Sequence, residues 1–223
     1  MSAAVTGVRR ELFHVKQFST PLSPEQFATA TDAAPETLAR LHIYVDLLEK
    51  WQKRINLVSR GTLDDVWRRH VLDSAQLLPL LPDRACLLDM GCGAGFPGLV
   101  LAIMGDCTVH LVESDTRKCA FLREAIRLTG AQNVHVHSDR MEALAPFPVD
   151  VVTARAVASL DKLLDMAAPF LAVPGQCLFL KGQKAQQELT EALKSRTMET
   201  VMIQSQTDPS GTILKLSNIR RAA

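Results

Sequence analysis

The sequence predicts an α/β protein in which a mostly parallel sheet, closed by an antiparallel terminal hairpin, follows a helical N-terminal subdomain. Three observations predict it. Within the first 80 residues, Pro35 to about Ile55 carries apolar positions at helical spacing. After Pro82, short apolar β-rich runs alternate with helical stretches, the pattern of βαβ units with helices on both faces of a sheet. The last two apolar runs flank Asp208-Pro209-Ser210-Gly211, which is turn chemistry, so they form an antiparallel pair. The boundary falls between residues 1–81, an arm and helical subdomain, and residues 82–223, the sheet domain.

In chain order, residues 1–22 carry few periodic signals and read as an arm. Ser23-Pro24-Glu25-Gln26 starts a helix, with Ser at the cap, Pro at the first helical position and Gln three residues after the cap. From Pro35 to about Ile55 the apolar residues Leu38, Leu41, Val45, Leu48, Trp51 and Ile55 recur at three and four, which predicts an amphipathic helix. Trp51 falls on its apolar face and reads as core. Thr62-Leu63-Asp64-Asp65 caps a further helix running to about Leu81. Strands follow near Cys86–Met90, Thr108–Glu113, Asn133–His137, Val149–Val152 and Gln176–Leu180. Helices fit near Gly98–Met104, Thr116–Thr129, Leu160–Leu171 and Gln183–Ser195. Val201-Met202-Ile203 and Thr212-Ile213-Leu214-Lys215-Leu216 form the hairpin.

Composition narrows the function. The 223 residues are 47% apolar and 22% charged, close to the soluble average, which excludes disorder, a coiled coil, collagen and a cysteine-rich mini-protein. No run reaches the length of a membrane span. The start lacks a secretory apolar core, so a cytoplasmic protein is expected. Five cysteines with no C-x-x-C pair read as reduced thiols, and the six histidines form no metal-ligand spacing, so no metal is expected. Net charge is +1, but residues 50–70 hold Lys50, Lys53, Arg54, Arg60, Arg68 and Arg69 against Asp64 and Asp65. That local excess is either a solvated helix face or a nucleic-acid contact.

The segment Leu87-Leu88-Asp89-Met90-Gly91-Cys92-Gly93-Ala94-Gly95-Phe96-Pro97-Gly98 carries the chemistry. An apolar strand runs into closely spaced glycines and then a helix, so a ligand can lie against bare backbone at Gly91, Gly93 and Gly95. Glu113 ends the next strand, 20 residues after Gly93, where a carboxylate can accept from both ribose hydroxyls. Gly93-x-Gly95-x-x-Gly98 also satisfies the dinucleotide pattern, so a nicotinamide-dependent oxidoreductase stays a rival. Asp89-x-Gly91-x-Gly93-x-Gly95 resembles the S-adenosylmethionine (SAM) motif of class I, Rossmann-like methyltransferases. In that group the first acidic residue sits near the methionine moiety, and the terminal hairpin is their known arrangement.

The segment after the fourth strand, Asp150 to Ala158, has neither the Asn/Asp-Pro-Pro-aromatic motif of exocyclic-amine methylation nor a cysteine for C5-cytosine chemistry. A ring nitrogen with a free lone pair, or an oxygen, remains. The chain resembles the bacterial 16S rRNA guanine-N7 methyltransferase family, small-subunit rRNA methyltransferase G, formerly glucose-inhibited division protein B. The matching pieces are Arg54-Ile55-Asn56-Leu57-Val58-Ser59-Arg60, Arg69-His70-Val71-Leu72-Asp73-Ser74, Asp89 to Gly98, Leu111-Val112-Glu113-Ser114 followed by Lys118, Arg140-Met141-Glu142, Thr153-Ala154-Arg155-Ala156 and Leu180-Lys181-Gly182. The one departure, Ala75-Gln76, bears on packing.

The resemblance implies methylation of N7 of a guanine in the 530 loop of 16S rRNA, whose loss is associated with low-level streptomycin resistance. It also implies SAM held against Gly91, Phe96, Met141, Glu142 and Arg155. Phe96 has the alternative of core packing, but an exposed loop tip is expected, which favours a ligand contact. For RNA, Arg140, Arg155 and Lys181 join the basic stretch with Lys53, Arg54, Arg69 and His70, although His70 alone reads as structural and Arg155 has the alternative of an ion pair with Asp150 or Glu142. N7 needs no general base, so none is named, and Arg155 is the positioning candidate. The substrate is rRNA, within a small-subunit particle or an assembly intermediate. Alternatives are a SAM-dependent methyltransferase of a small molecule and a non-catalytic RNA-binding assembly factor.

Overall fold

The computed structural model describes residues 20–155 and 158–222. Most of the expected N-terminal arm, and Ala156 of the Thr-Ala-Arg-Ala piece, lie outside the described residues. Helix α1 (Pro24–Thr31) starts in a capping box, Ser23 Oγ accepting from Gln26 N and Gln26 Oε1 from Ser23 N. Helix α2 (Pro35–Gln52) buries Leu41, Tyr44, Val45, Leu47 and Leu48. It stops short of Ile55 because the Gln52 side chain folds back, its Oε1 accepting from Leu57 N and Val58 N and its Nε2 donating to Val58 O.

The single helix expected from Thr62 to Leu81 is not there. The chain winds as a 3₁₀ segment (Arg60–Asp65), a π-helical turn (Trp67–Leu72), one α turn, α3 (Asp73–Ala75), and a second 3₁₀ segment (Leu78–Leu80). Thr62 caps nothing: its hydroxyl donates to Ser59 O and meets His70 Nε2 at 2.7 Å. Pro79 lacks the N–H that a continuing helix needs. Widened π turns recur at functional sites, and this one carries Arg69 and His70.

The sheet is built from β1 (Cys86–Met90), β2 (Thr108–Val112), β3 (Val134–His137), β4 (Val149–Arg155), β5 (Leu171–Lys181), β6 (Arg196–Gln204) and β7 (Thr212–Arg221) in the order β3-β2-β1-β4-β5-β7-β6. Strands β1–β5 run parallel, while β7 is antiparallel to both its neighbours. Helices α4 (Gly98–Met104), α5 (Thr116–Thr129), α6 (Leu160–Ala167) and α7 (Ala185–Ala192) connect the strands. Alternation along β1 sends Leu87 to one core, shared with α2, α4 and α5, and Leu88 to the other, under α6 and α7. The helices of the first 81 residues therefore pack into the same core as α4 and α5, with Tyr44 lying against Phe96 and Phe121. Trp51 is half-buried on that core, edge-on to Phe121. The five cysteines are unbridged. Among the described residues no helix is long and apolar enough to cross a membrane, and no group of side chains is placed to hold a metal ion.

Candidate active site at the carboxyl edge of the sheet

Strands β1 and β4 are neighbours, and the chain leaves them towards opposite sides of the sheet. A crevice opens at such a switch point, outside the carboxyl ends of the strands. The β1–α4 loop forms one wall. Gly91, Gly93 and Gly95 all have left-handed backbone, with φ of 61°, 57° and 96°, which glycine adopts without steric cost.

The glycines divide their work. A Cβ on Gly93 would meet nothing within 4 Å, so its backbone faces open space. On Gly95 it would come within 3.0 Å of Leu122 Cδ2 and 3.3 Å of the Tyr44 hydroxyl, and on Gly98 within 2.5 Å of Leu111 Cδ2. Gly91 is exposed. Gly91 and Gly93 thus leave the outer side of the loop open, whereas Gly95 and Gly98 let it sit down on the core.

Two carboxylates hold the loop. Asp89 is fully buried, its Oδ2 accepting from Gly98 N at 2.8 Å and its Oδ1 from the Thr153 hydroxyl at 2.9 Å. Burial raises its pKa to about 7, against those two hydrogen bonds and the Arg155 charge, which pull the other way. Asp89 braces the loop from within, with both oxygens engaged by the protein. Glu113, just past β2, accepts from Gly93 N at 3.0 Å through Oε2 and from Asp115 N at 2.8 Å through Oε1. Each carboxylate oxygen takes two hydrogen bonds, so Glu113 keeps acceptor capacity beside the open face of Gly93. That cradle fits a ribose with bare backbone next to it.

The other wall is less as expected. Phe96 is no exposed loop tip: its ring is 3% exposed, stacked 5.0 Å from His70 and tilted 5.2 Å from Tyr44. The apolar neighbours of α2 and the π turn claim it. Arg155, the last residue of β4, pairs with neither Asp150 nor Glu142. Asp150 accepts from Cys86 N at the opposite end of its strand. Arg155 instead lies over the Phe96 ring at 5.0 Å, pairs with Asp73 (Nη1–Oδ2, 3.5 Å) and donates to Arg69 O at 3.3 Å.

Two residues expected at an RNA surface are inside. His70 is buried, and burial together with the positive charges of Arg155 and Arg69 lowers its pKa to about 3, so it stays neutral. Lys181 has a side chain 7% exposed, donating to Ala158 O and paired with Glu188 at 2.8 Å. Both have structural partners. Arg69 is exposed and pairs with Asp208 of the β6–β7 loop at 3.2 Å. Lys53 and Arg54 are exposed and line an open cavity of about 620 Å³ with Lys50, Trp51, Ile55 and Arg117. Trp67 is core, against Phe27 and His42. Past β3, Arg140 and Glu142 are exposed at a short 3₁₀ turn, while Met141 is half-buried on the core under α6 and α7.

The structure therefore gathers Gly91, Gly93 and Glu113 into one cradle, and Phe96, Arg155, Arg69 and His70 into a second group around Asp73. It does not bring Lys53, Arg54 or Lys181 into either. Asp73, Thr207 and Asp208 are not marked as functional candidates by the sequence alone. Asp73 stands inside one of the family-like pieces, but its partners Arg155 and Thr207 lie 82 and 134 positions away along the chain.

This sheet order, with β7 inserted antiparallel, a glycine cradle after β1 and an acid after β2, defines a class I, Rossmann-like methyltransferase fold. Solved structures share it. M. jannaschii TYW2 in complex with AdoMet superposes with a TM-score of 0.58 over 76% of this chain and 80% of that one, at 16% identity. A TehB-like SAM-dependent methyltransferase from Corynebacterium glutamicum gives 0.55 over 81% and 100%, at 12% identity. At the sequence level, the family model described as rRNA small subunit methyltransferase G (GidB) matches residues 37–212. A protein named ribosomal RNA small subunit methyltransferase G from Rhodospirillum rubrum is 56% identical over 90% of this chain and all of its own length. The protein of that name from Paramagnetospirillum magneticum is 53% identical, over 90% of this chain and 98% of its own. The chain belongs to the rRNA small subunit methyltransferase G family.

Proposed function

We propose that the protein transfers a methyl group from SAM to N7 of a guanine in the 530 loop of 16S rRNA, in the cytoplasm and on a small-subunit particle or assembly intermediate. The observation that carries the methyltransferase reading is the Gly93–Glu113 cradle at the switch point of the sheet, in a chain that belongs to this family. The rRNA substrate is supported by the names its relatives carry.

When bound, SAM supplies an electrophilic methyl on a sulfonium. Gly91 and Gly93 would face it through backbone, Glu113 would accept from the ribose, and the Arg140–Glu142 turn past β3 would flank the base of the cofactor. The protein's part is then alignment. Bringing nitrogen, carbon and sulfur into line at about 3–3.5 Å can supply roughly 7–11 kcal/mol. What supports a ring nitrogen is that the end of β4 presents the Arg155 guanidinium, while the neighbouring Asp73 carboxylate is engaged by Arg155, Thr207 and Gln76. N7 carries an in-plane lone pair and gives up no proton before it attacks. Arg155 can hold O6 or a neighbouring phosphate and leave N7 free. The exposed cations Lys53, Arg54 and Arg69 would contact the RNA backbone.

The test is incubation with labelled SAM and small subunits from a strain lacking the enzyme, followed by mapping of the modified base. Label at N7 of a 530-loop guanine is the expected result. Label elsewhere in the rRNA would keep the class and discard the position, and label in a small molecule alone would discard the rRNA reading.

A further inference from the structure

The Asp73 carboxylate is where three distant stretches of chain meet. It sits at the start of α3, largely buried. Its Oδ2 pairs with Arg155 at the end of β4. Its Oδ1 accepts from the Thr207 hydroxyl at 2.6 Å and from Gln76 Nε2 at 2.9 Å. Gln76 is tied to the same hairpin loop as Thr207, its Oε1 accepting from Gln206 N at 3.0 Å. Asp208 of that loop pairs with Arg69, whose carbonyl accepts from Arg155.

We propose that Asp73 is a positioning residue for methyl transfer: it aims the Arg155 guanidinium at the target base, and the β6–β7 loop fixes Asp73 through Thr207. The proposal rests on the reading of Arg155 as the group that grips the base. A guanidinium is a planar fork of five donors. Among the described residues Arg155 Nη1 donates to Arg69 O and forms an ion pair with Asp73 Oδ2, while the Phe96 ring lies against the guanidinium face. Those contacts engage the fork through Nη1 and its face, and no contact of Nη2 or Nε falls among the described residues. A carboxylate that merely neutralised charge would do so from any side. This one is held by Thr207 from the β6–β7 loop and by Gln76 at the end of its own α3 turn, itself tied to that loop, so its position is fixed before it fixes that of Arg155.

The experiment uses the full chain and single-turnover methylation of unmodified small subunits, with SAM affinity by calorimetry and thermal melts in parallel. The variants are Asp73→Asn, Thr207→Val, Arg155→Lys and the double variant Asp73→Asn with Arg155→Lys. Asn keeps the size of the side chain and can still accept from Thr207. Thr207→Val removes the hydroxyl's hydrogen bonds to Asp73 and with Ser205 and nothing from the guanidinium. A 1 Å misplacement of reacting groups can cost about 100-fold, so Asp73→Asn should slow the step at saturating RNA and SAM by about 10- to 100-fold. Its SAM affinity and its KM for subunits should stay within about twofold. Thr207→Val should lose in the same direction by less. The double variant should be no slower than Arg155→Lys, because groups acting as a unit are not additive.

Losses that multiply in the double variant would overturn the proposal while leaving Arg155 in its role. So would a fall in melting temperature with the saturated rate intact in both Asp73→Asn and Thr207→Val, which makes the cluster a structural tie. Full activity in Arg155→Lys with Asp73→Asn still impaired would overturn the reading of Arg155 itself, and the positioning role with it.

Discussion

Asp89 should contribute stability in mild acid that is lost towards neutrality, and replacing it by asparagine should abolish that contribution. The carboxyl is enclosed, and burial lifts its pKa from 3.8 to about 7. In the unfolded chain it ionises near 3.8. Between those values Asp89 holds a proton in the folded protein that it lacks in the unfolded chain, so its contribution to stability falls as pH rises through this window and levels off above about 7. The interval amounts to about 4 kcal/mol at 1.36 kcal/mol per pH unit. The asparagine would be neutral throughout: its oxygen accepts from Gly98 N, and its amide donates to a Thr153 hydroxyl that has rotated to accept. Asp89→Asn should therefore match the wild type near pH 4 and exceed it near pH 7.5 by up to about 4 kcal/mol, a melting difference on the order of 10 °C for a chain this long. Thermal melts of both proteins from about pH 4 to 8 measure it. The histidines titrate identically in the two and cancel in the difference. A gap that stays constant with pH, or a wild type that is the more stable at about pH 7.5, would refute the reasoning.

Gly93→Ala should cost about 1–2 kcal/mol of stability, the penalty for a side chain in left-handed backbone, yet abolish measurable SAM binding because the new methyl enters the open cradle; unchanged calorimetric affinity would remove Gly93 from the site. Glu113→Ala should weaken SAM by roughly 1.5–3 kcal/mol, and a loss confined to RNA affinity would reject its ribose role. Lys53 and Arg54 replaced together by alanine should flatten the slope of log K for RNA against log salt by about 1 to 1.5, at about 0.7 for each phosphate no longer neutralised, with SAM binding untouched; an unaltered slope supports a solvated face. His110 and His137 stack on the same sheet face and have pKa values lowered by burial, so the stability His110 contributes is present above about pH 6.5 and is lost as pH falls towards about 4. The variant His110→Gln should show a shallower acid limb in pH-dependent melts, and an identical limb would count against it.

Much of the fold is legible because it is written in local pattern. The Ser23 capping box, the helix over Thr116–Thr129 between Asp115 and Gly130, and the alternating β1 to β5 runs each follow from a few adjacent residues. The segment from Arg60 to Leu80 misleads because its apolar spacing suits a helix, while what sets its winding is His70 seated against Phe96 and Thr62 turned onto His70. Those contacts depend on tertiary neighbours. The cradle is readable from glycine spacing and the acid 20 residues on. The glycines' division into outward and inward members is not, since Gly95 differs from Gly93 only in what lies beneath it: Leu122 and Tyr44. The Arg155 partner is hidden for the same reason. A carboxylate 82 positions back leaves no periodic trace.

The placement of β7 also bears on how the protein is made. Strand β7 follows every other described strand along the chain, yet it pairs in the interior of the sheet, between β5 and β6. Synthesis runs from the N-terminus, so until β7 emerges the β5 segment Gln176–Lys181 is an open edge carrying Cys177, Leu178 and Phe179. Strand β6 meanwhile has no sheet to join. The newborn chain thus holds a sticky seam that one late strand must seal on both sides at once. A ribosome stall or premature stop before Thr212 would release a glycine cradle already assembled beside an unpaired apolar edge, a species suited to chaperone capture and self-association.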